Sequence, residues 1–124
     1  MSRPDHSIAG RRILVVEDEY IIAMNVVRWL QAAGFEVIGP VSSVEQALEL
    51  IEDDHPDGAV LDIAIRHGET VYPVAERLGA LGVPYLFATG EAKVSSENGY
   101  CERPRLTKPY REAELTRALS ALLG

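Results

Sequence analysis

The sequence predicts an α/β fold: a doubly wound, five-stranded parallel sheet with helices on both faces. Three observations predict it. A strand–helix pattern repeats five times along the 124 residues without any internal sequence repeat. The first run, residues 12–16, is apolar and β-branched without alternation, as a strand buried on both faces must be. Most of the strands are separated by segments of 10–15 residues with helical hydrophobic spacing, which is the crossover a parallel pair requires.

The elements follow in order. Residues 12–16 form the first strand. Residues 19–33 form a helix with Ile22, Val26, Trp29, Leu30 and Ala33 at helical spacing, and Gly34 ends it as a C′ glycine would. Residues 36–39 make a short second strand closed by Pro40. Ser43 then reads as an N-cap, with Gln46 completing a capping box, and Ala47, Leu48 and Ile51 form the inner stripe of a helix ending near Asp54. The third strand is residues 58–63. Residues 72–81 carry Val74, Ala75, Leu78 and Leu81 as a third helix stopped by Gly82. The fourth strand is residues 85–88. Residues 90–103 are polar and glycine-containing, with room for one short helix. A weakly signalled fifth strand lies at residues 105–107, and residues 111–123 close the chain with Leu115, Ala118, Leu119 and Leu122 on one face.

The length suits one domain. Residues 1–10 read as a loose leader without the apolar core of a secretory signal, and residues 11–124 as the folded unit. A net charge of −7 argues against binding nucleic acid, where clustered Lys and Arg are needed. The longest apolar runs fall far short of the roughly 20 residues of a membrane span. Cys101 is the single cysteine, so no internal disulfide forms. A cytoplasmic location is the expectation. Only two lysines occur, Lys93 and Lys108.

Right-handed crossovers place ligands at the carboxyl ends of the strands of such a sheet. The residues there are chemically pointed. Glu17 and Asp18 follow the first strand, Asp62 interrupts an apolar third strand, Thr89 ends the fourth, and Lys108 follows the fifth. Each has an ordinary reading taken singly: Glu17, Asp18 and Glu19 as acids at a helix N-terminus, Asp62 as a turn residue, Thr89 as a loop hydroxyl, Lys108 as a solvated rim residue. Those readings leave their convergence on one sheet edge unexplained. Two carboxylates about 4 Å apart repel by roughly 4 kcal/mol at an effective dielectric near 20. A cation among Glu17, Asp18 and Asp62 would relieve this, and an oxygen-only set suits Mg²⁺ with waters and a phosphate. The dispersed His6, His55 and His67 offer no zinc site. Asp62, at a strand's end, is the candidate nucleophile for an acyl phosphate, with Thr89 and Lys108 holding the transferred oxygens.

With segments RRILVVEDE, GAVLDIAI, LFATG and LTKPY in this order, the chain resembles the response-regulator receiver domains of two-component signalling after residue 11. The resemblance implies the flavodoxin-like strand order 2-1-3-4-5 with a reduced fourth helix. It implies Asp62 as phosphoacceptor, Mg²⁺ held by Asp18, Asp62 and the carbonyl of Ala64 with Glu17 acting through a water, and Thr89 and Lys108 as phosphate contacts. It also implies a cis Lys108–Pro109 peptide. The partners implied are a histidine kinase or histidine phosphotransfer protein and an unnamed protein target. The stretch PYLFATGE, residues 84–91, is similar to the signature of the stand-alone "FAT GUY" group, departing from it at Tyr85 and Glu91. Arg105 stands where receivers ordinarily carry a switch aromatic, so threonine–aromatic coupling cannot operate in its usual form. Residues 90–103 are expected to reorder on phosphorylation, and Ala64 and Glu91 to tune a slow self-dephosphorylation.

The protein is therefore expected to be a signalling module and not an enzyme. A turnover phosphatase would need an acid two residues after the nucleophile, where Ala64 stands. A flavin or nucleotide binder would want a Gly-rich loop where VVEDEY stands. The alternative kept open is a receiver-like docking scaffold that takes no phosphoryl group.

Overall fold

In a computed structural model, residues 10–63, 65, 69–89 and 105–124 are described. Nine elements lie along them: β1 (Arg12–Val16), α1 (Tyr20–Ala32), β2 (Glu36–Val41), α2 (Val44–Asp54), β3 (Gly58–Asp62), α3 (Tyr72–Ala80), β4 (Tyr85–Thr89), β5 (Arg105–Thr107) and α4 (Glu112–Leu123). The strands form one sheet in the order β2-β1-β3-β4-β5 with every pair parallel.

The sheet divides two cores because successive side chains on a strand face opposite ways. On β1, Ile13 and Val15 join Val26, Leu30, Leu115 and Leu119 under α1 and α4. Leu14 and Val16 join Ala47, Ile51, Val74 and Leu78 under α2 and α3. Both faces of β1 and β3 are covered, which is why these strands read as continuous apolar runs.

The boundaries differ from the sequence reading in instructive places. β2 continues through Pro40 to Val41 instead of closing at the proline. Proline is tolerated there because β2 is an edge strand, where no ladder bond is lost. The register against β1 slips between Leu14 and Val16, so that two residues of β2 oppose Val15 alone, a bulge. Gly39 sits at that bulge with φ 97°, and a Cβ on it would meet the Val15 carbonyl oxygen at 3.0 Å. Leu81 is the other correction. The helical spacing predicted it in the stripe of α3, but α3 ends at Ala80 and Leu81 is 47% exposed. Residues 1–9 of the expected leader, and residues 90–103 with the expected reduced helix and its reordering, lie outside the described residues. Gly10 is held to the domain by its N–H on the Gly34 carbonyl (2.7 Å).

The N-cap of α2 is as the sequence predicts. Ser43 Oγ accepts from the Gln46 N–H at 3.1 Å, while Gln46 Oε1 accepts from the neighbouring Ser42 N–H at 3.4 Å, so the reciprocal half of the box is shifted by one residue. Ser43→Ala is expected to lower stability by about 1 kcal/mol. Urea denaturation would show it as a lower midpoint at constant slope, and an unchanged midpoint would mean that the cap contributes nothing.

Candidate functional site

The acidic cluster is assembled by strand alternation. Val16 and Leu61 face the α2–α3 core, whereas Val60 faces α1 and α4. Asp62, two residues after Val60, projects on Val60's side, and Glu17, one residue after Val16, emerges on that same side. Both are 6% exposed and are the buried charged residues among those described. Two hydrogen bonds, one backbone–backbone and one to its own carboxylate, fix the turn that carries Glu17. Its N–H donates to the Val41 carbonyl at 2.9 Å, and its carboxylate accepts from the Glu19 N–H at 3.2 Å. Asp18 is half-buried beside it.

Carboxylate oxygens of Glu17, Asp18 and Asp62 lie within 4.8 Å of one another. The ammonium of Lys108 enters from the loop after β5. Its Nζ lies 3.0 Å from Glu17 Oε1, 3.4 Å from Asp62 Oδ2 and 3.7 Å from Glu19 Oε1. Burial raises the Asp62 pKa, the Glu17 charge raises it further, and Lys108 opposes both, leaving it at about 7. Burial by itself would favour a neutral Lys108. The hydrogen bond to Glu17 and the Glu17 and Asp62 charges outweigh it and hold the ammonium above the ordinary lysine range. One lysine thus serves three acids, which is too little positive charge for the cluster. Three hard oxygen donors, from Glu17, Asp18 and Asp62, with an excess of negative charge of this kind fit a small divalent cation.

Glu17, Asp18, Asp62 and Lys108 are therefore brought together as the sequence predicts. Thr89 ends β4, one strand from Asp62, with its Cα paired to Thr107; its side chain is not among the described groups. Ala64 and Glu91 lie outside the described residues. Arg105 opens β5 opposite Phe87 and is exposed. The Lys108–Pro109 peptide is cis, as the resemblance implied.

Two contributors were missed. Glu19 reads in sequence as a helix-start acid. It is the N-cap of α1, yet its side chain makes no capping bond, and its carboxylate lies instead near Lys108. Tyr110 lies half-buried in an edge-on contact with Trp29 (ring centroids 6.3 Å apart). Burial pushes its phenol pKa well up, and the nearby Glu17 and Asp62 charges add to this. The aromatic after Lys108–Pro109 was visible in the sequence, but only the fold brings it within reach of the charges of Glu17 and Asp62.

The family described as the response regulator receiver domain matches residues 13–120. The solution structure of SdrG from Sphingomonas melonis is 40% identical with a TM-score of 0.82, covering 95% of this chain and all of that one. The receiver domain of the sensor histidine kinase PA1611 from Pseudomonas aeruginosa, described with a magnesium ion coordinated in its active-site cleft, is 26% identical with a TM-score of 0.78 over 94% of this chain and 99% of that one. The transcriptional regulatory protein PrrA of Mycobacterium tuberculosis is 32% identical over 123 residues, 96% of this chain and 52% of that protein. The chain spans about half the length of the curated relatives it matches. Among the described residues, no helix is long and apolar enough to cross a membrane.

Proposed function

The chain belongs to the response regulator receiver domains of two-component systems, and from that premise we propose that Asp62 accepts a phosphoryl group from a phosphohistidine on a histidine kinase or histidine phosphotransfer protein. One observation carries this reading. A buried carboxylate at a strand's end lies within 4.8 Å of two further acids and 3.4 Å from a lysine ammonium. An Asp62 oxygen attacks phosphorus in line, the phosphorus–nitrogen bond to the donor breaks, and the electron pair leaves with the imidazole. Glu17, Asp18 and Asp62, with the Ala64 carbonyl, would hold Mg²⁺, which supplies charge neutralisation for the incoming anion. Lys108 moves from carboxylate to phosphoryl oxygen, and Thr89 bonds a second oxygen. Ala64, two residues beyond Asp62 in sequence, and Glu91, one beyond Gly90, are the positions expected to tune the adduct's lifetime. The phosphorylated surface acts through protein contacts, Arg105 in place of an aromatic calling for an altered coupling. The segment at residues 84–91 supports placement in the "FAT GUY" group, and the family's character supports a signalling module without turnover chemistry of its own.

Acetyl phosphate with Mg²⁺ is expected to give a phosphoryl adduct by intact mass. No adduct would favour the docking-scaffold alternative. Mg²⁺ is also expected to stabilise the fold by mass action, about 1.4 kcal/mol at ten times its Kd. Thermal melts in MgCl2 against NaCl of equal ionic strength would read this, and coincident curves would count against a cation site.

A further inference from the structure

We propose that Glu19 is a positioning residue for the phosphoryl-transfer site, a third, releasable carboxylate that holds the Lys108 ammonium back from Asp62 and charges the mouth of the site. The inference rests on the reading given under Proposed function and adds a control that reading does not contain. An ammonium has three N–H donors, and Lys108 has three carboxylates around it. They are unequal. Glu17 is in closest contact, with both oxygens at 3.0 and 3.2 Å, and its side chain is 4% exposed. Asp62 is at 3.4 Å, its side chain 7% exposed. Glu19 is at 3.7 Å and 64% exposed. When Lys108 turns to a phosphoryl oxygen it must release at least one of them. Water re-solvates the exposed Glu19 at little cost, whereas Glu17 and Asp62 cannot be left unpaired cheaply.

The backbone supports a positioning role. Glu19 occupies the N-cap of α1 in extended conformation, where a side chain ordinarily accepts a bond from the first turn. Its carboxylate makes no such bond and reaches Lys108 instead. Its own N–H holds Glu17 Oε2, so one residue steadies Glu17 by its backbone and Lys108 by its side chain. Before phosphorylation, Glu19 pulls the ammonium outward and repels an anionic phosphodonor. Afterwards, it is the partner given up.

The test uses the full chain at saturating Mg²⁺, with adduct formation from acetyl phosphate followed by intact mass at low and high ionic strength. Glu19→Gln keeps the shape and removes the charge. It is expected to be phosphorylated about two- to fivefold faster than wild type at low salt, the range open to an exposed ion pair. The difference should shrink at high salt, where such a charge is screened. Glu19→Asp, which restores the charge, should fall between the two. A helix-capping role alone would alter the melting temperature and leave these rates and their salt dependence unchanged. A Glu19→Gln rate equal to or below wild type, with wild type still phosphorylated, overturns the inference and spares the parent reading. No adduct on wild type overturns both.

Discussion

Asp62→Asn is expected to abolish the phosphoryl adduct while making the metal-free protein more stable. The amide keeps the shape of the carboxylate but cannot form the acyl phosphate, so the loss of adduct should be complete. The gain in stability comes from removing a poorly compensated charge. The folded pKa of Asp62 is about 7, above the unfolded 3.8, because burial and the Glu17 charge disfavour ionisation more than Lys108 favours it. Between these two values the folded state binds more protons than the unfolded state, so stability falls as pH rises through that window. Above it, the whole penalty is present. Near pH 8 Asp62→Asn should therefore gain about 1–2 kcal/mol, a figure already reduced for the solvent that reaches the cluster. That is about 4–8 °C or more in melting temperature for a domain near this size. At about pH 4 the gain should vanish, since wild-type Asp62 is then largely neutral when folded. A metal-free variant no more stable than wild type near pH 8 would refute the crowding of charge.

Lys108→Ala is expected to do the reverse, and with a larger effect on stability. Its ammonium is the positive group paired with Glu17 and Asp62 among the described residues, and those side chains are only 4% and 7% exposed. Removing one partner of a buried ion pair costs about 3–5 kcal/mol. Here about 2–4 kcal/mol is expected near pH 8, because Asp62 can escape part of the penalty by taking up a proton. Two rescues should follow. Acidification towards pH 5 should recover much of the loss by neutralising Asp62, and Mg²⁺ should stabilise the variant more than it stabilises wild type. Urea titrations at both pH values, with and without Mg²⁺, would measure this. Wild-type stability for metal-free Lys108→Ala near pH 8 would show that the lysine is not what makes the acids tolerable.

Much of the fold was legible because parallel sheets write themselves plainly. Strands buried on both faces become unbroken apolar runs, as residues 12–16 and 58–61 do, and crossover helices carry apolar stripes such as Val26 and Leu30, or Leu115 and Leu119. Errors arose where local rules met the edge of the sheet. Pro40 looked like the end of β2 because a proline breaks a central strand, yet β2 is an edge strand and continues to Val41. Leu81 fitted the period of α3 but falls one residue beyond its end. Periodicity reports which residues could face a core, and it does not report where the helix stops.

By itself the sequence determined which chemistry could gather at the strand ends, since the order of βα units and the hand of their crossovers leave Glu17, Asp18, Asp62 and Lys108 on one edge. Tertiary structure alone decided how that charge is shared: that Lys108 contacts Glu17 most closely, that Glu19 leans on the lysine instead of capping its helix, and that the half-buried Tyr110 feels the charges of Glu17 and Asp62. The physical reason is range. Strand order and crossover hand follow from local pattern and chirality, whereas a charge's partner is set by differences of a few tenths of an ångström between segments some ninety residues apart in the chain.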